Sequence, residues 1–217
     1  MKATLTDIGF CRGVISEVII STYNLEREPN SAPMGMVMLD EEHLAVNIYN
    51  TSSTCQSIKQ NKCAVVNLTG NIEFFYRSAI KETNPSRKLP LDWFKNSRGV
   101  NAPKLRLADA TVEVSAQELV PLANGKTHFV FKVESIQAPC KYPQAYNRAL
   151  PLTFEAIIHA TRVKALANDQ TQQKKLDELL GLIEGYNEIV SRVAPNSSCS
   201  LVMADLTRRI DGWRKKP

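Results

Sequence analysis

The sequence predicts a mainly β (α+β) fold, in which a β-barrel-like domain over residues 1–145 precedes a helical subdomain of about three helices over residues 146–217. Two observations lead to this prediction. Up to about residue 138, apolar residues alternate or form short β-branched runs, which is typical of strands. After Pro151 they recur at spacings of three and four, which is typical of amphipathic helices.

Four strands and one short helix are predicted in the first 70 residues. Residues 14–23 are rich in β-branched side chains, and residues 35–40 form an apolar run. Apolar positions alternate over residues 43–50, whereas residues 63–69 (CAVVNLT) are typical of a fully buried strand. Residues 55–61, between the last two strands, predict the helix.

The stretch PNSAPMGMVML, residues 29–39, combines an apolar run with two prolines and a glycine. Proline removes a hydrogen-bond donor from a sheet, and glycine weakens the interior of a strand. Such a segment belongs at a sheet edge, at a bulge, or where a ligand approaches the backbone closely. The stretch alone does not decide between these interpretations.

The later strands form a predicted long hairpin over residues 110–136. Its turn is assigned to Asn124-Gly125, because this pair favours the two positive φ angles of a tight turn. Residues 81–109, rich in Pro, Asn, Ser and charge, predict a long surface excursion, a kind of segment that is often functional or mobile. Beyond the hairpin, Pro195 ends a long helix, and Ser197 or Ser198 is expected to cap the next one.

Composition narrows the class of protein. The 217 residues are 43% hydrophobic and 23% charged, as in ordinary globular proteins. The net charge of +5 includes a basic C-terminus, but cations also complement the end of a helix, so no nucleic-acid partner is predicted.

Five scattered cysteines without a C-x-x-C pair argue against a disulfide framework and a zinc site. Charged residues interrupt the N-terminal apolar stretch, so we expect no signal peptide, no membrane partner and a cytoplasmic location.

Four consecutive hydroxyl side chains, Thr51–Thr54, stand between a predicted strand and the predicted helix. A helix start offers free backbone N–H groups and a positive dipole end, so the position suits a phosphate group. Lys59 and Lys62 follow close by. The alternative is a plain serine or threonine N-cap with a polar turn, which accounts for one or two of the hydroxyls.

The small residues at 31–35 suggest a flat surface. Ser31, Ala32 and Gly35 would allow a ring to lie against the backbone, with the N–H groups of Met34 and Gly35 as donors to it. Met34 and Met36 would add adaptable walls. The alternative is an irregular edge strand, and only the pairing with the hydroxyl-rich turn favours a ligand.

Glu155, His159 and Arg162 share one helix face because they are four and seven residues apart. Proton transfer or metal binding is one interpretation, and an intrahelical polar ladder is the other. The ladder is favoured, since the chain has only three histidines and no second cluster completes a metal site. We therefore predict no metal and assign no catalytic residue. Arg148 and Arg162 are expected to make structural or substrate-anion contacts.

Three ordered motifs carry a family resemblance: VIISTYN, PNSAPMG and HLAVNIYNTSSTCQSIKQNKCAVVNLT. They resemble the flavin-binding split barrels of the flavin-reductase and pyridoxamine-phosphate-oxidase type. More narrowly, together with the later NRALPLTFEAIIHATR, they are similar to the uncharacterised prokaryotic family called domain of unknown function 447. The resemblance covers nearly the whole chain, although residues 81–108 and the last 50 residues match least.

The resemblance implies a homodimer of split barrels, each of which binds FMN near the dimer interface. Residues 31–35 would lie along the isoalloxazine ring, and the hydroxyl-rich turn would hold the phosphate beside Lys59. Asn47 and Tyr49 would reach the ribityl chain or the phosphate. Ser21 and Thr22 are weaker candidates. The cofactor-binding residues so assigned are Ser31, Ala32, Met34, Gly35, Asn47, Tyr49, Thr51, Ser52, Ser53, Thr54, Lys59 and Asn67.

The function expected from this resemblance is an FMN-dependent oxidoreductase of unknown substrate. Its electron donor would be NAD(P)H or a deazaflavin, and the flavin would carry the chemistry while the protein positions it. One alternative is a non-enzymatic flavin carrier or sensor. A third is a split barrel that binds another phosphate-bearing or heme-like ligand.

Overall fold

The structure is a computed structural model that describes residues 3–138, 148–167 and 169–214. These residues form two compact units: residues up to 69 together with 81–138, here called the barrel unit, and residues 70–80 together with those from 148 onward, here called the helical unit. The domain boundary predicted between residues 145 and 146 lies outside the described residues. So do Cys140, Asn147, Lys215 and Lys216.

The barrel unit contains the elements β1 Ile15–Tyr23, β2 Pro29–Asp40, β3 His43–Tyr49, α1 Ser53–Asn61, β4 Cys63–Leu68, β5 Phe94–Asn96, β6 Pro103–Leu105, β7 Ala110–Pro121 and β8 Lys126–Gln137. Six of the strands form a closed antiparallel barrel in the order β1-β2-β3-β8-β7-β4, and β5 pairs with β6 in a separate hairpin. The barrel, with a helical C-terminal part, confirms the predicted fold class.

The core of the barrel unit is built from alternate residues of the strands. Met36 and Met38 of β2 pack with Phe129 and Phe131 of β8 and with inward residues of the other strands. Helix α1 adds Ile58 to the same core. Because burying each such side chain stabilises the fold by about 1.5 to 3 kcal/mol, this packing fixes α1 and its first turn against the strands.

Strand β2 explains the prolines and the glycine of residues 29–39. It pairs with β1 along its length, from Tyr23↔Pro29 to Ile15↔Val37. Its pairing with β3 is confined to the part from Val37 onward, with an irregularity between Met38 and Asp40. Within the described ranges, residues 32–36 therefore have a strand partner on one side only, which leaves this edge of β2 open.

The predicted hairpin is present as β7 and β8, but its turn differs from the prediction. Of the predicted pair Asn124-Gly125, only Gly125 has a positive φ, of +74°. The backbone N–H of Leu122 donates to the carbonyl oxygen of Lys126 at 2.8 Å, which closes a three-residue loop over 123–125. A longer loop needs one left-handed residue where the two-residue turn would need two.

Residues 81–109, predicted as a surface excursion, contain three short 3-10 turns and the β5–β6 hairpin. Strand β6 packs against β1 and β4, and Leu105 is fully buried there. The Ser21 hydroxyl donates to the Pro103 carbonyl oxygen at 2.6 Å. Part of the excursion is therefore an outer layer of the barrel.

The helical unit contains the three helices expected after Pro151, namely α3 Ala149–Leu166, α4 Gln173–Val193 and α5 Ser198–Arg214. A further helix, α2 Ile72–Ala79, belongs to this unit and was not predicted. Phe75 of α2 meets Phe154 of α3 edge to face, with ring centroids 4.4 Å apart. In the part of the chain that the structure describes, no helix is long and apolar enough to cross a membrane.

Candidate functional site

The first turn of α1 contains the predicted hydroxyl cluster. Ser52 is the N-cap, and its hydroxyl accepts from the Cys55 N–H at 3.2 Å and donates to the Tyr49 carbonyl oxygen at 2.9 Å. Among the described residues, the N–H groups of Ser53 and Thr54 have no acceptor. The plain N-cap interpretation therefore accounts for Ser52, and the rest of the turn retains hydrogen-bonding capacity.

Asn30 connects β2 to this turn. Its side-chain amide lies 3.5 Å from the Ser53 hydroxyl and 3.4 Å from the Thr54 hydroxyl, both at the long limit for hydrogen bonds. The fold thus brings the start of β2 and the hydroxyl-rich turn together. Asn30 itself was not predicted as a site residue, because its role depends on this contact across the fold.

Thr22 lies opposite Asn30 in the β1–β2 register. Its side chain is fully buried, and its hydroxyl has no partner among the residues that the structure describes. A buried polar group left unsatisfied costs about 1 to 3 kcal/mol. The region around Asn30 is therefore incompletely hydrogen-bonded by the chain itself.

Lys59 and the predicted residues of β3 lie at the other side of the turn. The Asn50 side-chain oxygen accepts from Lys59 at 3.4 Å and from the Thr127 hydroxyl at 2.6 Å. Tyr49 is exposed, and the Lys126 ammonium lies 4.4 Å from its ring centroid. These contacts place two cations near the end of β3, where Thr51 is exposed.

Asn47 shares the outer face of β3 with Tyr49, as the alternation predicted. Its side-chain oxygen lies 2.7 Å from Nδ1 of His128 on the neighbouring strand. In the described part of the chain, no hydrogen bond connects it to the hydroxyl cluster. The structure therefore gives Asn47 a cross-strand partner and does not bring it to the cluster.

The predicted ring-facing residues of β2 alternate between two faces. Met34 packs against the core, whereas Gly35 is exposed on the opposite face. A Cβ atom at Gly35 would lie 2.7 Å from the Ile15 side chain, so the neighbouring strand also requires glycine here. Ala32, Met34 and Gly35 share only the backbone edge of β2, and a ring can meet all three only along that edge.

Asn67 and Ser21 are not brought to the cluster. Asn67 is fully buried, and its amide donates to the Ser21 hydroxyl at 2.8 Å and to the Ile19 carbonyl oxygen at 2.9 Å. Its side-chain oxygen accepts from the Leu105 N–H at 2.8 Å. These bonds use both the nitrogen and the oxygen of the side-chain amide. The structure therefore gives Asn67 a role in holding β6 to the barrel.

Lys81 is a site residue that the sequence analysis did not single out. Its ammonium donates to the Ser31 carbonyl oxygen, and burial lowers its pKa from 10.5 to about 8. It lines a cavity of about 280 Å³ together with Asn30, Ser53 and Arg87. The sequence predicted only a surface excursion over this segment. Nothing in the residues around Lys81 indicates that its side chain reaches β2.

The polar face of α3 lies in the helical unit. His159 is buried and stacks on Tyr186 with ring centroids 5.9 Å apart, and burial is the main cause that lowers its pKa. Glu155 and Arg162 are exposed, and no hydrogen bond links the three side chains within the described ranges. The expected polar ladder is thus not hydrogen-bonded, although the charges of Glu155 and Arg162 act on His159, the first raising and the second lowering its pKa. Among the described residues, no group of three His, Cys, Asp or Glu side chains could hold a metal ion.

Solved structures resemble this chain. A crystal structure of an FMN-bound protein from Methanosarcina mazei is 24% identical, with a TM-score of 0.76, and the match covers 94% of this chain and 98% of that one. A putative flavin reductase with a split barrel domain from Shewanella frigidimarina is 15% identical, with a TM-score of 0.49, over 61% of this chain and 71% of that one. The first likeness shows a shared fold. No curated protein matches the sequence.

A family model matches residues 16–139, which are more than half of the chain. This is the family that the sequence motifs predicted. The chain belongs to the family described as Protein of unknown function (DUF447) N-terminal domain.

Proposed function

We propose that this chain binds FMN, with the phosphate at the first turn of α1, and that it acts as an FMN-dependent oxidoreductase. The observation that carries the proposal is the incomplete hydrogen bonding of that turn. It offers the N–H groups of Ser53 and Thr54, adjacent hydroxyls, and the loosely bonded amide of Asn30. The FMN-bound state of the Methanosarcina mazei relative supports the choice of ligand.

These residues fit a phosphate group chemically. A helix start places partial positive charge and N–H donors at one point, and hydroxyls add donors without a buried formal charge. The first turn of α1 contains no acidic residue, so no carboxylate of that turn would repel a bound phosphate. Lys59 and Lys126 lie against Asn50 and Tyr49, just before this turn, and add positive charge to the region.

The spacing along β2 fits the rest of the ligand. Asn30, which contacts the turn, precedes the predicted ring-facing residues Ala32–Gly35 by two to five positions. At about 3.3 Å per residue, this separation is roughly 7 to 17 Å. The range suits a ring joined to a phosphate through a five-carbon chain, so a single flavin mononucleotide spans both places.

The protein's own part in the reaction is to bind and orient. FMN, when bound, supplies hydride acceptance and electron transfer. The turn of α1 and Asn30 would fix the tail, while the open edge of β2 would hold the ring and limit its contact with water. The electron donor that we propose is NAD(P)H or a deazaflavin.

A homodimer is part of the proposal. Val14 and Ile15 are 55% and 65% exposed, and Ile15 lies over Gly35 on the outer face of β1 and β2. Neighbouring exposed apolar side chains favour coverage by another protein surface. A second copy placed there would lie next to the strand that we assign to the flavin ring, as the family resemblance implies.

The proposal is tested by adding FMN to the purified chain and then NADPH without oxygen. We expect a yellow protein that retains one FMN per chain through gel filtration and whose flavin absorbance bleaches with NADPH. A yellow protein that is inert to NADPH and to every other hydride donor would indicate a carrier or sensor. A colourless protein that takes up no FMN contradicts both functions.

A further inference from the structure

A cavity of about 280 Å³ lies beside the hydroxyl cluster in the barrel unit. It is bounded by the turn between β1 and β2, the first turn of α1 and the segment 81–91. Ser53 of the hydroxyl cluster and its neighbour Asn30 both line this cavity. The two places are therefore adjacent, and the cavity extends toward Asn24, away from the open edge at Ala32–Gly35.

Two of the cavity's cations have no acidic partner. Lys88 is paired with Glu28 at 2.7 Å, and the exposed Glu26 also acts on Lys88. Lys81 donates to a carbonyl oxygen, and neither it nor Arg87 forms an ion pair among the described residues. Because Lys81 is partly buried, the loss of water disfavours its charged form, and an anionic ligand would supply the missing charge.

The backbone of the cavity wall is held in an uncommon conformation. Ser86 and Arg87 both have left-handed backbone angles, with φ of 54° and 58°. Each costs a residue other than glycine about 1 to 2 kcal/mol, and such residues cluster where a side chain must be positioned. Here the strained turn carries the Arg87 guanidinium, which suits a phosphate because of its planar set of donors.

We propose that this cavity binds a phosphate group of the electron donor, beside the phosphate of FMN. The inference rests on the proposed function. The cavity lies beyond Asn30, past the end of β2 where the flavin tail would stop, so it has room for a phosphate group of a second molecule. Its volume equals that of about nine waters at about 30 Å³ each, which exceeds the space that one phosphate group needs.

The test uses NADPH with the FMN-loaded chain, and inorganic pyrophosphate with the full chain in calorimetry. The variants are Arg87→Gln and Lys81→Met, and the control is Lys95→Gln, which removes one exposed charge from β5 outside the cavity. We expect each cavity variant to raise the KM for NADPH and the Kd for pyrophosphate roughly tenfold, as for a lost charged hydrogen bond. For Arg87→Gln, the kcat and the Kd for FMN should stay within about twofold, and Lys95→Gln should change nothing.

Three other results overturn the assignment or separate it from the proposed function. A raised Kd for FMN with an unchanged KM for NADPH would assign the cavity to the flavin's own phosphate and overturn the proposal. Unchanged KM and pyrophosphate affinity in Arg87→Gln would overturn it as well, whether or not Lys81→Met folds. If the chain takes up no FMN, the proposed function fails, whereas pyrophosphate binding that Arg87→Gln abolishes still supports the phosphate site.

Discussion

The barrel unit contains two clusters of polar side chains that differ in how completely the chain satisfies their hydrogen bonds. The closed cluster, Ser21, Asn67, Lys104 and Glu113, lies where the β5–β6 hairpin and the loop between its strands meet the barrel. The open cluster, Asn30 with Ser52–Thr54, lies at the first turn of α1. Both contain hydroxyl and amide side chains, so the presence of these groups does not distinguish them.

Glu113 is the centre of one half of the closed cluster. Its carboxylate accepts from the Gly99 N–H at 2.7 Å and from the Arg98 N–H at 3.2 Å, and it pairs with Lys104 at 3.3 Å. Burial would raise the pKa of Glu113, but these three donors outweigh burial and hold its pKa below the ordinary value. Lys104 in turn donates to Gln137 at 2.8 Å, so the buried charges are paired.

In the open cluster, Ser52 has hydrogen bonds of ordinary length, but the bonds of Asn30 are long. The Asn30 amide meets its two hydroxyl partners at 3.4 and 3.5 Å, and the buried Thr22 hydroxyl has no partner among the described residues. Buried polar groups in folded proteins are almost always satisfied. The comparison therefore assigns the closed cluster a structural role and supports our proposal that the open cluster holds a ligand.

Removing Glu113 breaks the closed cluster most severely. Glu113→Ala leaves the Lys104 ammonium buried without its counter-ion, so we expect a loss of about 3 to 5 kcal/mol in the free energy of unfolding, measured in urea. Glu118→Ala, at an exposed position of the same strand, is the control and should cost less than about 0.5 kcal/mol. A cost for Glu113→Ala as small as that of the control would contradict the structural role of the cluster.

Asn67→Ala tests the residue that the family resemblance assigned to the cofactor. It leaves the Leu105 N–H and the Ile19 carbonyl without their side-chain partner, and we expect a loss of about 2 to 4 kcal/mol in the free energy of unfolding. The affinity of the folded protein for FMN should not change. Asn101→Ala, in the exposed loop of the same hairpin, is the control. Weaker FMN binding with an unchanged free energy of unfolding would contradict this structural role and assign Asn67 to the ligand site.

Much of the barrel was predictable because its signals are local. Alternation and β-branched runs predicted β1, β3 and β4, and the run of hydroxyls predicted the start of α1. The prolines of β2 were compatible with either a ligand site or a sheet edge. In the structure, the first part of β2 is a sheet edge, because β2 pairs with β3 only from Val37 onward.

The parts that were missed depend on contacts between distant residues. Lys81 reaches the Ser31 carbonyl across 50 positions, and Asn30 becomes part of the open cluster only because α1 packs above β2. Asn67 has the residue type of a ligand contact, and only its four partners in space reveal a structural role. Sequence identifies a polar side chain, but whether its bonds are complete is a property of the fold.

The most direct test of the account compares FMN with riboflavin, which lacks the phosphate, on the wild-type chain and on Ser53→Ala/Thr54→Ala. We predict that the double variant loses about 1 to 3 kcal/mol of FMN affinity, because hydrogen bonds to a charged phosphate are lost. Its riboflavin affinity and its unfolding free energy should stay unchanged within about 0.5 kcal/mol. Unchanged FMN affinity, or an equal loss for both ligands, would contradict a phosphate site at the open cluster.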